Sequence, residues 1–145
     1  MPAYTTKLLT SEAVAEETMA FHFEKPPGFA FKPGQFVNIT LQNPAETDGK
    51  GNMRSFSIAS APHENELLIV TRMRDTAFKR VLKKMSLNTE VNMQGPTGML
   101  TLPTDTIRTV VFLTGGIGIT PFLSMMKHAV QTQSNQKMVL FYSNR

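Results

Sequence analysis

Two short stretches hold residue types whose spacing suits chemistry. The first is Arg54-Ser55-Phe56-Ser57-Ile58-Ala59-Ser60. In an extended strand alternate side chains share a face, which puts Arg54, Phe56 and Ser60 on one side and Ser55 and Ser57 on the other. An arginine fork binds a pyrophosphate bidentately, an aromatic ring lies against a flat heterocycle, and a serine hydroxyl hydrogen-bonds a ring nitrogen. A flavin nucleotide presents all three targets. Taken alone, the string equally describes an ordinary strand with a surface arginine and a core phenylalanine.

The second stretch is Thr114-Gly115-Gly116-Ile117-Gly118-Ile119-Thr120-Pro121. It follows the continuous apolar run Val110 to Leu113 and precedes a helical pattern. Small residues at such a junction let backbone amides approach a phosphate. The spacing departs from the G-x-G-x-x-G fingerprint, and a tight strand-to-helix turn needs glycines for its own sake.

The elements that must position these stretches fall into two patterns. Up to about Pro103 the chain shows short runs of period-two alternation separated by turn formers, as in an antiparallel barrel or sandwich. Met19, Phe21 and Phe23 form one run, followed by Val37 to Leu41, Phe56 with Ile58, Leu67 to Thr71, and Val91 with Met93, which suggests about six strands. One helix interrupts them, capped by Asp75 or Thr76, with Phe78, Val81, Leu82 and Met85 at helical spacing. After Pro103, Val110 to Leu113 reads as a parallel strand buried on both faces. Thr120 is the expected N-cap of the next helix, with Pro121 at its first position. Met138 to Tyr142 is the next strand. The expectation is a six-stranded antiparallel Greek-key barrel with one helix over residues 1–103, then the β-α-β start of an α/β nucleotide-binding domain over 104–145. Two parallel strands do not complete a doubly wound sheet, so a fragment or truncation is expected.

Composition narrows the chemistry further. The absence of cysteine removes disulfides, thiol nucleophiles and cysteine-ligated metal, and His22, His63 and His128 lack metal-ligand spacing. Redox chemistry here needs an organic cofactor. No leader pattern opens the chain, which makes the cytoplasm the expected address. The net charge of +4 is uneven: Arg72, Arg74, Lys79, Arg80, Lys83 and Lys84 crowd thirteen residues against Asp75 alone. That cluster is a solvated helix face or a docking patch for an acidic carrier. It lacks the interleaved exposed aromatics of a nucleic-acid surface.

Together the two stretches resemble the ferredoxin-NADP reductase superfamily. That family carries Arg-x-aromatic-Ser-x-x-Ser on a barrel strand and Gly-Gly-x-Gly-x-Thr-Pro some sixty residues later. Lys32-Pro33-Gly34-Gln35-Phe36, the Thr76 start of the helix and Gly95-Pro96-Thr97-Gly98 match it as well. The resemblance implies a flavin-dependent NAD(P)H oxidoreductase with FAD and NAD(P)H as cofactors, passing electrons to a ferredoxin, flavodoxin or other separate acceptor. It implies that Arg54 meets the flavin pyrophosphate within the segment Arg54-Ser55-Phe56-Ser57, that Phe56 packs on the ring system or ribityl, and that Ser57 bonds flavin N5. Thr76 becomes a second pyrophosphate contact, Val70, Thr71 and Arg72 line the adenosine side, and Phe36 stands beside the flavin. Gly115, Gly116, Ile117, Gly118, Thr120 and Pro121 border the nicotinamide nucleotide, with Ser143, Asn144 and Arg145 near its adenosine ribose. Many members have tyrosine where Phe56 stands. A non-catalytic flavin-binding electron-transfer subunit is the alternative reading.

Overall fold

The computed structural model describes residues 2–144; Met1 and Arg145 lie outside the described residues. Six strands form one antiparallel sheet: β1 (Ala3–Ala15), β2 (Thr18–Glu24), β3 (Phe36–Leu41), β4 (Met53–Ser57), β5 (Glu66–Arg72) and β6 (Glu90–Thr97). Their order is β4-β3-β6-β1-β2-β5, so strands distant in sequence lie side by side, as a Greek key requires. The sheet curls until Ala59, just past β4, donates its N–H to Leu68 O on β5 at 2.8 Å. The result is barrel-like, with no full ladder between its two edge strands.

Alternation decides which faces turn inward. Val37, Ile39 and Leu41 on β3, Leu67 and Ile69 on β5, and Val91 and Met93 on β6 are buried with Leu8, Phe21, Phe23, Ile58 and Phe78 in one cluster. Each such side chain contributes about 1.5–3 kcal/mol of burial. The first strand is the longest and the least patterned. Only Thr6 and Leu8 are buried along its 13 residues, and the Thr6 hydroxyl donates to Glu24 O at 2.5 Å. A polar residue at a core position, satisfied by a backbone carbonyl, hides the alternation that marks the other strands.

Helix α1 (Ala77–Lys83) crosses between β5 and β6 and buries Ala77, Phe78 and Leu82. Thr76, not Asp75, is its cap. Beyond the barrel, β7 (Val110–Gly115) pairs in parallel with β8 (Met138–Ser143) through helix α2 (Thr120–Gln131), and a 3-10 turn (Gly116–Ile119) joins β7 to α2. Two expectations need correction. Thr120 is the first residue of α2 rather than its cap, and its hydroxyl donates back to Ile117 O at 3.1 Å. The 3-10 turn winds into α2 without a break, so no extended cap residue separates them. Nor is β7 buried on both faces: Phe112 stacks on Phe122 of α2, while Val111 and Leu113 are 52% and 72% exposed.

Helix α2 is bolted to the barrel. Buried Ser124 donates to Ser60 O at 2.6 Å, and Lys127 pairs with Glu64 at 3.2 Å. Met125 is buried against the turn at Gly34, whose φ of +96° suits only glycine. These contacts fix the Gly115–Ile117 segment relative to β4 and β5. Among the described residues no helix is long and apolar enough to cross a membrane.

Candidate functional site

Arg54 on β4 is tethered on one side and unsatisfied on the other. Its Nη1 donates to the carbonyls of Lys50, Gly51 and Met53 at 2.9, 3.0 and 2.6 Å, and its guanidinium carbon stands 5.2 Å from the Phe78 ring centroid. Its Nη2 is buried without a hydrogen-bond partner, with Asp48 Oδ1 at 3.6 Å. A buried donor of this kind costs about 1–3 kcal/mol, which an incoming anion would recover.

Asp48 closes the neighbouring corner. Its carboxylate accepts the Lys50 N–H at 2.9 Å and the Ala77 N–H at 3.2 Å. The Lys50 bond, then the Ala77 bond, hold the carboxyl below its ordinary range. Thr76 Oγ1 meanwhile accepts the Lys79 N–H at 3.3 Å. The start of α1 is therefore served from within the chain.

Lys79 is the second cation of the site. Its ammonium donates to Thr71 Oγ1 at 2.5 Å and lies 4.4 Å from the Phe56 ring centroid. Phe56 in turn packs on Phe78 at 5.9 Å between centroids. The two cations thus sit on a shared aromatic pair. Burial, helped by the positive charges of Arg54 and Arg74, pushes the Lys79 ammonium down to about 8. Beside it opens a cavity of about 530 Å³ between Thr71, Arg72, Arg74 and Lys79 on one wall and Gly115, Gly116 and Ile117 on the other. Gly116 adopts φ +51° and nothing stands within 4 Å of where a Cβ would be, so the loop leaves that wall open.

The expected residues divide by location. Thr71, Arg72, Gly115, Gly116, Ile117 and Ser143 line this cavity, and Arg54 and Phe56 adjoin it through Lys79. Val70 faces the other side of β5, where with Arg72 it borders a second cavity of about 410 Å³. Ser57 ends β4 half-buried and pairs in register with Phe36, which packs against Gly98; neither lines the large cavity. Ser55 is exposed on the outer face and donates to Asn38 Oδ1 at 2.6 Å. Thr120 and Pro121 are buried in α2, and Gly118 is exposed away from the cavity lining. Arg145 lies outside the described residues. Asn144, expected beside Ser143, lines the cavity too, while sequence reasoning missed Arg74 and Lys79 as lining residues and Asp48 as a partner of Arg54. Nothing in the local sequence separates Lys79 and Arg74 from the other basic residues of that run.

A barrel whose cations line one wall of a cavity, opposite a strand-glycine-helix unit, has the form of a module that binds an anionic cofactor. The chain belongs to the oxidoreductase FAD-binding domain family, whose model matches residues 5–102. The oxidoreductase NAD-binding domain model matches residues 112–145. The FAD and nicotinamide nucleotide expected from the sequence are the cofactors of these two domain types.

Two curated relatives give the comparison in sequence. The glycine betaine monooxygenase reductase subunit of Pseudomonas aeruginosa is 34% identical over 131 residues, covering 88% of this chain and 35% of that protein. The propane 2-monooxygenase reductase component of Gordonia is 27% identical, covering 97% of this chain and 40% of that protein. The chain therefore spans between a third and two fifths of these relatives. In structure, the ferredoxin NADP+ reductase of Neisseria gonorrhoeae with bound FAD and NADP superimposes with a TM-score of 0.80 at 25% identity, over 97% of this chain and 56% of that one.

Proposed function

We propose that this chain is the flavin-binding half, with the first part of the nucleotide-binding half, of an NAD(P)H oxidoreductase of the ferredoxin reductase type. Residues 1–103 are then the FAD domain and 104–145 the start of the NAD(P) domain. The observation that carries the reading is the buried Nη2 of Arg54, which makes no hydrogen bond, near a cationic cavity walled by Gly115 to Ile117. FAD, when bound, supplies a ring system that takes a hydride from the nicotinamide and releases electrons onward. The protein's part is orientation. Arg54 holds the diphosphate, the Phe56–Phe78 pair gives an apolar floor, and the Ser57 hydroxyl is the hydrogen-bonding group offered to the flavin ring. The open wall at Gly116 admits the nicotinamide nucleotide.

The acceptor is a separate redox protein. The named relatives are reductase components of monooxygenases, which supports an oxygenase component or an iron–sulfur carrier as the recipient. These 145 residues hold no cysteine to ligate such a cluster. The test is to purify the protein with FAD supplied, desalt it, record the visible spectrum, and add NADH or NADPH without oxygen. Retained flavin absorbance that bleaches on addition is expected. A folded protein that retains no flavin overturns the reading.

A further inference from the structure

We propose that Lys79 is a second phosphate ligand: in the flavin complex its ammonium leaves Thr71 and shares the diphosphate with Arg54, making the site selective for phosphate-bearing flavins. The proposal rests on the flavin reading above and extends it to a residue outside the Arg54 to Ser60 segment.

The argument is one of missing charge. Lys79 and Arg54 are held on the same pair of rings, Lys79 over Phe56 and Arg54 over Phe78, with the rings 5.9 Å apart between centroids. Lys79 has a neutral hydroxyl, Thr71 Oγ1, as its side-chain partner. Arg54 keeps one nitrogen buried without a hydrogen bond, its ion pair with Asp48 stretched to 3.6 Å. Arg74 adds a third positive charge in the same cavity wall. Burial first, and then repulsion from Arg54 and Arg74, lowers the proton affinity of Lys79. A dianion between the Lys79 ammonium and the Arg54 guanidinium offsets that repulsion. Arg80, one residue on, is the contrast: it is met by both Glu46 and Asp75 and has no charge to offer.

Thr71 and the aromatic ring are weak holds that a flexible lysine stem can exchange for a phosphate oxygen. Arg54 cannot make such a move, because three backbone carbonyls fix its Nη1. The division of labour is therefore a rigid arginine that sets position and a mobile lysine that closes on the ligand.

The experiment measures equilibrium binding of FAD and of riboflavin, by quenching of flavin fluorescence, to the wild type and to Lys79→Met and Lys79→Arg. Methionine keeps much of the apolar stem and arginine keeps the charge. Loss of one charge-assisted phosphate contact weakens binding about 10- to 100-fold. That loss is expected for FAD with Lys79→Met, with riboflavin affinity unchanged and FAD affinity largely restored in Lys79→Arg. Equal weakening of both flavins, or unchanged FAD binding in Lys79→Met, overturns the role of Lys79 while leaving the flavin site standing. A folded wild type that binds neither flavin overturns the site and the proposal together.

Discussion

Gly34→Ala tests the joint that holds the glycine-loop wall against the barrel, with no cofactor needed. An added Cβ would lie 2.0 Å from Leu100 O and 2.2 Å from Met125 Cε, where ordinary contact begins near 3.4 Å. Met125 can swing its terminal methyl aside; the Leu100 carbonyl can move only if the backbone moves. The backbone at φ +96° adds about 1–2 kcal/mol for a residue with a Cβ. Overlap with a packed neighbour adds about 1–3 kcal/mol. The sum, about 2–5 kcal/mol, is a drop in melting temperature of about 5–15 °C for a chain of this size. Gly28→Ala is the control, because Gly28 also has positive φ, +76°, but nothing within 4 Å of its Cβ position. It should show only the backbone share. Thermal unfolding followed by circular dichroism gives both values. Two variants melting within about 2 °C of each other would refute the packing argument, since the 2.0 Å approach would then carry no cost.

Two further predictions concern the charges. FAD affinity should be level below about pH 7 and fall above about pH 8, by up to about tenfold per unit. Lys79 loses its proton near 8 in the free protein, and a phosphate partner raises that value in the complex, so binding takes up a proton in this window. The charged groups facing Lys79 from β4 and from the β5–α1 connection are Arg54 and Arg74, and Asp48 beside Arg54, its carboxyl held below its ordinary range, stays ionised. Binding titrations across this range should show the bend in the wild type and none in Lys79→Met; a bend that persists in that variant would assign it elsewhere. Arg54→Ala should weaken FAD binding at least about 100-fold, since it removes a charge-assisted contact and frees the turn carbonyls of Lys50 and Gly51. Unaltered flavin retention in Arg54→Ala would contradict the pyrophosphate assignment.

Alternation made most of the barrel legible from sequence, because β3, β5 and β6 each bury every second residue with little exception. Helix α1 was legible from Phe78, Val81 and Leu82 together with the Thr76 cap. The first strand escaped notice because a threonine occupies one of its two buried positions and the rest of its length is largely exposed. The Thr120 cap failed for another reason: the glycine segment closes into a 3-10 turn that runs on into α2, a backbone choice that side-chain preference does not announce. At the site, Thr71, Arg72 and the Gly115 to Ile117 loop line the cavity while Phe36, Ser57 and Gly118 do not, and Lys79 and Arg74 were submerged in a run of basic residues that reads as one solvated face. Long-range geometry separates that run. Side-chain directions around a seven-residue helix, and the distant Glu46 and Asp48, decide which charges are satisfied.

The fate of that run gives a criterion for telling structural cations from functional ones. Arg80 pairs with Glu46 and Asp75, and its hydrogen bonds to the two carboxylates raise its proton affinity. Lys127 pairs with Glu64 across the joint between α2 and the barrel. Each of these charges has an internal counter-ion and a packing role. Arg54 and Lys79 sit deeper than Arg80 and have less to answer them. Leaving a cation partly desolvated and underpaired is unfavourable for folding, so its persistence beside an open cavity points to a ligand that supplies the charge. The same sorting divides the basic stretch. Arg72, Arg74 and Lys79 line the cavity, with Arg72 and Arg74 open to solvent as well, Arg80 is paired with two carboxylates, and Lys83 and Lys84 are exposed at the end of α1. The run is therefore shared between a cavity wall and an open surface, and is not one uniform solvated face.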